Sequence, residues 1–188
     1  MVRWTQKLMR EVAREEREAL GLTDADKLDP YALAEEHGIA VYTLSELREW
    51  DLSDEAHTHF FTSSTAKWSA ALVPLGAARV IIDNDGHASV RRRASVAHEL
   101  GHHLLEHAFD ASLTGNHDRL FDQEKEKQAT FMAGELLIPD SAAYKAARAG
   151  WSNAQVAHAF GVSEQFAQMQ MKGPRVVVAR SRRKSYNY

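Results

Sequence analysis

The sequence predicts a mainly helical α+β fold with one small β-sheet. Three observations predict it. Apolar residues recur at helical spacing through most of the 188 residues. Two strand-like runs, Lys67 to Val73 and Arg79 to Asp83, stand side by side, with a shorter one at Ile39 to Thr43. The strong turn signal Asn84-Asp85-Gly86 then hands the chain to a helix-like stretch at 89–108. A small antiparallel sheet packed beside that helix, followed by a C-terminal helix pair, is the architecture this order implies.

Residues 4–20 read as an amphipathic helix carrying Leu8, Val12, Ala13 and Leu20, stopped by Gly21. Asp29 caps a second helix with Pro30 at its first position, and Gly38 ends it. Ser45 is a cap candidate for a brief helix reaching Glu49. The passage 51–66 is polar and holds His57 and His59, alternating as in a strand. Pro74-Leu75-Gly76 is expected to join the two main strands. After Pro139 an alanine-rich helix covers 141–149. Ser152, Gly161 and Ser163 then punctuate a helix pair at 151–171 that has the look of a helix-turn-helix. Glu164, Gln165 and Gln168 on its second helix suit packing better than base reading. From Lys172 to Tyr188 the chain is basic and reads as a solubilising tail, so the organisation expected is one domain, 1–171, plus the tail 172–188.

The chemistry is concentrated in SVRRRASVAHELGHHLLEHA, residues 89–108, where His98, Glu99 and His102 form H-E-x-x-H. Residues four apart project from one face of a helix, so His98 and His102 can take two corners of a tetrahedral zinc site. Glu99 then lies where it can accept a proton from water whose pKa the metal has brought to about 7. A catalytic zinc needs a third protein ligand and one open position. His103 points about 140° and His107 about 180° away from His98 on an ideal helix, which demotes both. On the next helix, expected at 118–137, Glu124, Glu126 and Glu135 are candidates. Glu126 is preferred because it shares a face with the small residues Ala129, Thr130 and Ala133, which would let two helices approach closely.

HELGHHLLEH followed by EKQATFMAGELLIP resembles the ImmA/IrrE family of zinc metallopeptidases, and the resemblance extends over about residues 15–170. The family pattern of HELGH, an E-x-x-A segment and a Leu-Leu-hydrophobic-Pro ending is matched by His98 to His102, Glu126 to Ala129, and Leu136 to Pro139. Where the family commonly has E-x-E-A, this chain has Glu126-Lys127-Gln128-Ala129. The resemblance implies a zincin-like domain in which His98, His102 and Glu126 bind one Zn2+ per chain and Glu99 is the catalytic base. It also implies a protein substrate of regulatory kind, a DNA-binding repressor or an antitoxin of a bacterium, phage or mobile element. In zinc peptidases an edge strand beside the metal pairs with the extended substrate. The strand holding Trp68, Ser69 and Ala70 is the candidate for that edge, and Tyr144, His57 and His59 are candidates to stabilise the oxyanion.

Composition bounds the alternatives. A net charge of −3 predicts no general affinity for nucleic acid, and zero cysteines exclude both disulfides and thiolate metal sites. No apolar run approaches a membrane span, and Met1 to Arg10 lacks the apolar core of a signal peptide, so a cytoplasmic protein is expected. The reading of a different class is a non-hydrolytic regulator, a zinc-stabilised fold binding a partner protein or DNA through its C-terminal helices and basic tail. Glu99 separates the two, because a structural zinc site is closed by four protein ligands and needs no general base.

Overall fold

A computed structural model describes residues 3–47, 49, 68–76, 78–107 and 122–185. His57 and His59 lie outside the described residues. The elements, in order, are α1 (Gln6–Ala19), α2 (Pro30–Glu36), β1 (Ala40–Thr43), α3 (Leu44–Leu47), β2 (Ala70–Leu75), β3 (Ala78–Asp83), α4 (Ser89–Leu104), α5 (Gln123–Leu137), α6 (Asp140–Ala149), α7 (Asn153–Phe160) and α8 (Glu164–Ser185). The fold is α+β and mainly helical, with one three-stranded sheet among the described residues. No described helix is long and apolar enough to cross a membrane. The chain forms two compact units, one of residues 29–133 and one of residues 1–28 with 134–188.

In the unit 29–133 the sheet order is β1-β3-β2. β2 and β3 form the expected antiparallel hairpin, in register from Ala70↔Asp83 to Leu75↔Ala78. β1 adds on the far side of β3 and runs parallel to it, so the sheet is mixed rather than wholly antiparallel. The hairpin also turns later than expected. Pro74 sits inside β2 opposite Arg79, and the reversal falls at Gly76, whose φ of 61° suits a residue without a side chain. A proline is tolerated there because β2 is at the edge of the sheet among the described residues, and alternate residues turn their N–H away from the partner. Leu72 shows that direction: its N–H bonds to Glu99 on α4, not to β3, and Pro74 falls two residues on. The short helix α3 is capped by Thr43 rather than Ser45. Glu46 N–H donates to Thr43 Oγ1 while the Glu46 carboxylate accepts from Thr43 N–H, a capping box that places the start two residues early. Asp29 accepts from Tyr31 N–H to start α2 as expected.

In the other unit Met9 and Ala13 of α1 are buried, and Arg17 is 1% exposed. Its guanidinium donates to the carbonyls of Leu136, Thr23 and Asp26, so the charge is shared among three main-chain carbonyls instead of facing water. Ser152 caps α7 in a capping box with Gln155, Gly161 takes the left-handed conformation at φ 64°, and Ser163 accepts from Phe166 N–H at the start of α8. The helix pair is therefore as expected, but the basic tail is not. α8 runs on from Glu164 to Ser185 through Gly173-Pro174. Ala167, Met171, Pro174 and Val178 keep a buried stripe at helical spacing across that pair, and packing along it outweighs the bond to the Gln170 carbonyl that proline cannot make. Two of the basic side chains serve as anchors, with Arg175 donating to Asn153 and to the Trp151 carbonyl and Arg182 to the Arg148 carbonyl.

Candidate metal centre

The H-E-x-x-H helix α4 buries Val96, Ala97, Glu99, Leu100, Gly101 and His102. That stripe orients the helix so that its histidine face meets α5. Asp122 sets where α5 begins: its carboxylate accepts from Glu124 and Lys125 N–H, and those bonds, Lys125 first, hold its pKa below the usual carboxylate range. Four residues later Glu126 stands in the first turn of α5. The two helices touch main chain to main chain at Gly101 and Ala129, where a Cβ added to Gly101 would lie 2.8 Å from the Ala129 carbonyl oxygen. Ala129 and Ala133 supply the close-packing face expected beside Glu126, whereas Thr130 is exposed. Gly101 is the functional glycine that the sequence signals most clearly in retrospect, since a glycine inside a helix costs about 1 kcal/mol relative to alanine and needs a compensating contact.

Three donor atoms converge at this crossing. His98 Nε2 lies 3.2 Å from His102 Nε2 and 3.1 Å from Glu126 Oε2, and His102 Nε2 lies 3.4 Å from Glu126 Oε1. Tetrahedral zinc with bonds of about 2.0–2.1 Å separates its ligands by about 3.3 Å. The donor set of two imidazoles and one carboxylate fits a divalent cation in both spacing and chemistry. Among the described residues this is the one group of three or more His, Asp and Glu able to hold an ion. Side-chain exposure of 26% at His98 and 32% at Glu126, against 8% at His102, leaves one side of the triangle open.

Glu99 is 6% exposed, and its Oε2 accepts the Leu72 N–H at 2.9 Å. The outward amide of an edge strand thus fixes the carboxylate. Glu99 and His98 line a cleft of about 220 Å³ together with Ser69, Ala70, Arg91, Ala94 and Ser95. Within that lining Arg91 donates to Ser69 Oγ at 2.8 Å. Of the expected substrate-binding residues, Ser69 and Ala70 line this cleft. Trp68 instead packs on Leu44, Leu47 and Ile82, while its carbonyl accepts from Asn84 Nδ2. By the alternation that points Leu72 outward, Ala70 presents its N–H and C=O to the same side of β2, away from β3.

The other candidates are placed elsewhere. Glu124 is exposed and is not part of the donor group. Glu135 belongs to the other unit, where it pairs with Arg10 and accepts from Asp140 N–H; burial pushes its pKa up. His103 turns to Arg79 and His37. Tyr144 lies on α6 and lines a groove with Arg148, Val177 and Arg182. His107 departs from the ideal-helix argument. The helix ends at Leu104, Glu106 adopts φ 52°, and the ring swings back to stand 2.9 Å from His102, Nδ1 to Nδ1. A non-glycine residue in the left-handed region leaves no mark in the sequence. Burial pushes the pKa of His107 down, with the hydrogen bond to Gln128 acting the other way.

A mainly helical α+β fold carrying an open His-His-Glu donor set beside a buried H-E-x-x-H glutamate is the arrangement that metallopeptidase chemistry requires. The chain belongs to the family described as the IrrE N-terminal-like domain, Peptidase_M78, whose model matches residues 34–172. No curated protein matches the chain.

Proposed function

We propose that this protein is a cytoplasmic zinc endopeptidase that cleaves one peptide bond in a regulatory protein, a DNA-binding repressor or an antitoxin, in a bacterial, phage or mobile-element setting. The observation that carries the reading is Glu99, a buried carboxylate pinned by a strand amide and lining one cleft with His98, a member of the three-donor cation site. A structural metal site has no use for such a group. His98, His102 and Glu126 would hold one zinc. Bound there, the ion supplies Lewis acidity, polarising the scissile carbonyl and acidifying water to a pKa of about 7. Glu99 takes the proton from the attacking water and passes it to the departing amide nitrogen, so that one water is consumed as the C–N bond breaks. The outward edge of β2 at Ala70 receives the substrate as an added strand, which sets its carbonyl beside His98 and Glu99. The non-hydrolytic alternative, a zinc-stabilised regulator acting through its C-terminal helices and basic tail, leaves Glu99 without a role; two of the basic side chains, Arg175 and Arg182, bind main-chain carbonyls of their own chain.

Mapping of new protein N-termini in cells producing the wild type or Glu99→Gln tests this. Glutamine retains an acceptor for Leu72 N–H but cannot take a proton. New N-termini within transcriptional regulators, present with wild type and absent with Glu99→Gln while both chains hold one zinc, are expected. Identical N-termini in the two cultures, with zinc present in both, would contradict a peptidase.

A further inference from the structure

His107 is 5% exposed although it follows the end of α4, and its ring meets that of His102 edge to face, centroids 5.0 Å apart. With Nδ1 2.9 Å from Nδ1, one of the two atoms carries a hydrogen and the other a lone pair. Its other nitrogen, Nε2, stands 3.0 Å from Gln128 Oε1. Gln128 in turn gives its amide N–H to Glu124 Oε1 at 3.2 Å. These contacts assign the protons in one direction. An ionised carboxylate only accepts, so Gln128 turns its NH2 to Glu124 and its oxygen to His107. An amide oxygen also only accepts, so His107 carries its hydrogen on Nε2. His107 Nδ1 is then the lone pair, and His102 must be the Nδ1–H donor. That leaves the lone pair of His102 on Nε2, the atom turned to His98 and Glu126.

We propose that His107 is a positioning residue, held by Gln128 and Glu124, that fixes His102 in the Nδ1–H tautomer and so presents Nε2 to the metal. The inference rests on the reading of His98, His102 and Glu126 as a metal centre. Ligating histidines are commonly oriented through their second nitrogen, usually by a carboxylate or carbonyl. Here a neutral imidazole takes that part, and the carboxylate at the end of the relay, Glu124, stands three hydrogen bonds from His102, which leaves the ligand less negative than a direct His–Asp pair would.

The test uses the full chain and zinc alone. Chelator competition on wild type, His107→Leu and His107→Asn measures affinity, and long-range 1H–15N spectra of zinc-loaded wild type report the tautomers. His107→Leu is expected to bind zinc about 10–100-fold more weakly. His107→Asn, whose Oδ1 can accept from His102 Nδ1–H, is expected to recover most of that loss, a recovery that filling space would not give. The spectra should show His102 protonated on Nδ1 and His107 on Nε2. Zinc bound by wild type with His107 protonated on Nδ1 or on both nitrogens would overturn the proposal, as would undiminished affinity in a folded His107→Leu. Should the leucine variant not fold, the wild-type spectra decide. Absence of zinc binding by wild type would overturn the metal centre itself and this inference with it.

Discussion

Gly101→Ala should damage the metal centre without touching a ligand. The added Cβ would stand 2.8 Å from the Ala129 carbonyl oxygen and 3.1 Å from its Cα, both main-chain atoms that no side-chain rotation can move. Ordinary contact begins at 3.4 Å, so α5 must retreat by about 0.6 Å or α4 must bend. Overpacking of this kind costs about 1–3 kcal/mol, against a gain of about 1 kcal/mol for replacing glycine in a helix. The net effect on stability without metal is therefore a loss of roughly 0–2 kcal/mol. The effect on metal binding is larger. Glu126 lies less than one turn before Ala129, and donor spacings of 3.1–3.4 Å tolerate errors of only about 0.5 Å. Zinc affinity should fall about 10–100-fold, as it does when the support of a metal ligand is removed. Thermal unfolding of the metal-free chain and chelator competition on the loaded one separate the two effects. A variant more stable than wild type that binds zinc equally well would refute the claim that backbone contact between α4 and α5 sets the donor triangle.

Ala70→Pro removes one outward N–H from β2 at the position equivalent to Pro74, where the strand already accepts proline. The loss of one backbone hydrogen bond to substrate, about 0.5–1.5 kcal/mol, should lower kcat/KM on an identified substrate about two- to tenfold and leave zinc affinity alone; unchanged cleavage would place the substrate elsewhere. Burial and its bond to Asp83 push the Tyr31 phenol from 10.0 up to about 12. Because the folded value is the higher one, the contribution of Tyr31 to stability is complete below pH 10 and disappears as pH rises towards 12. Absorbance titration should show a phenolate component near pH 12 that Tyr31→Phe abolishes, and a component at the ordinary value instead would mean that the phenol is not held by Asp83.

What was legible in the sequence was local. Asp29-Pro30, Gly38, Ser152 and Gly161 each act within a few residues of themselves, and each ends or starts a helix where read. His98 and His102 are legible for the same reason, since four residues on one helix fix their geometry regardless of surroundings. Glu126 needed one tertiary assumption, a close helix pair, which small residues on its face suggested. The readings that failed depend on contacts or dihedrals that one residue type does not announce. Pro74 was taken as a turn because its tolerance in β2 follows from strand order. The basic run from Lys172 reads as a tail because the buried stripe of α8 shows itself only when there is a surface for it to pack against. His107 stays outside the ligand set, as ideal helix geometry implies, but φ 52° at Glu106 brings its ring to His102 instead of the far side of the helix.

The central claim is an open three-ligand metal centre, and metal content of the purified chain tests it most directly. Wild type should hold one zinc per chain, with His98→Ala and Glu126→Ala each losing it or binding it far more weakly. Wild type that remains metal-free when zinc is supplied, or Glu126→Ala that keeps zinc as tightly as wild type, would contradict it.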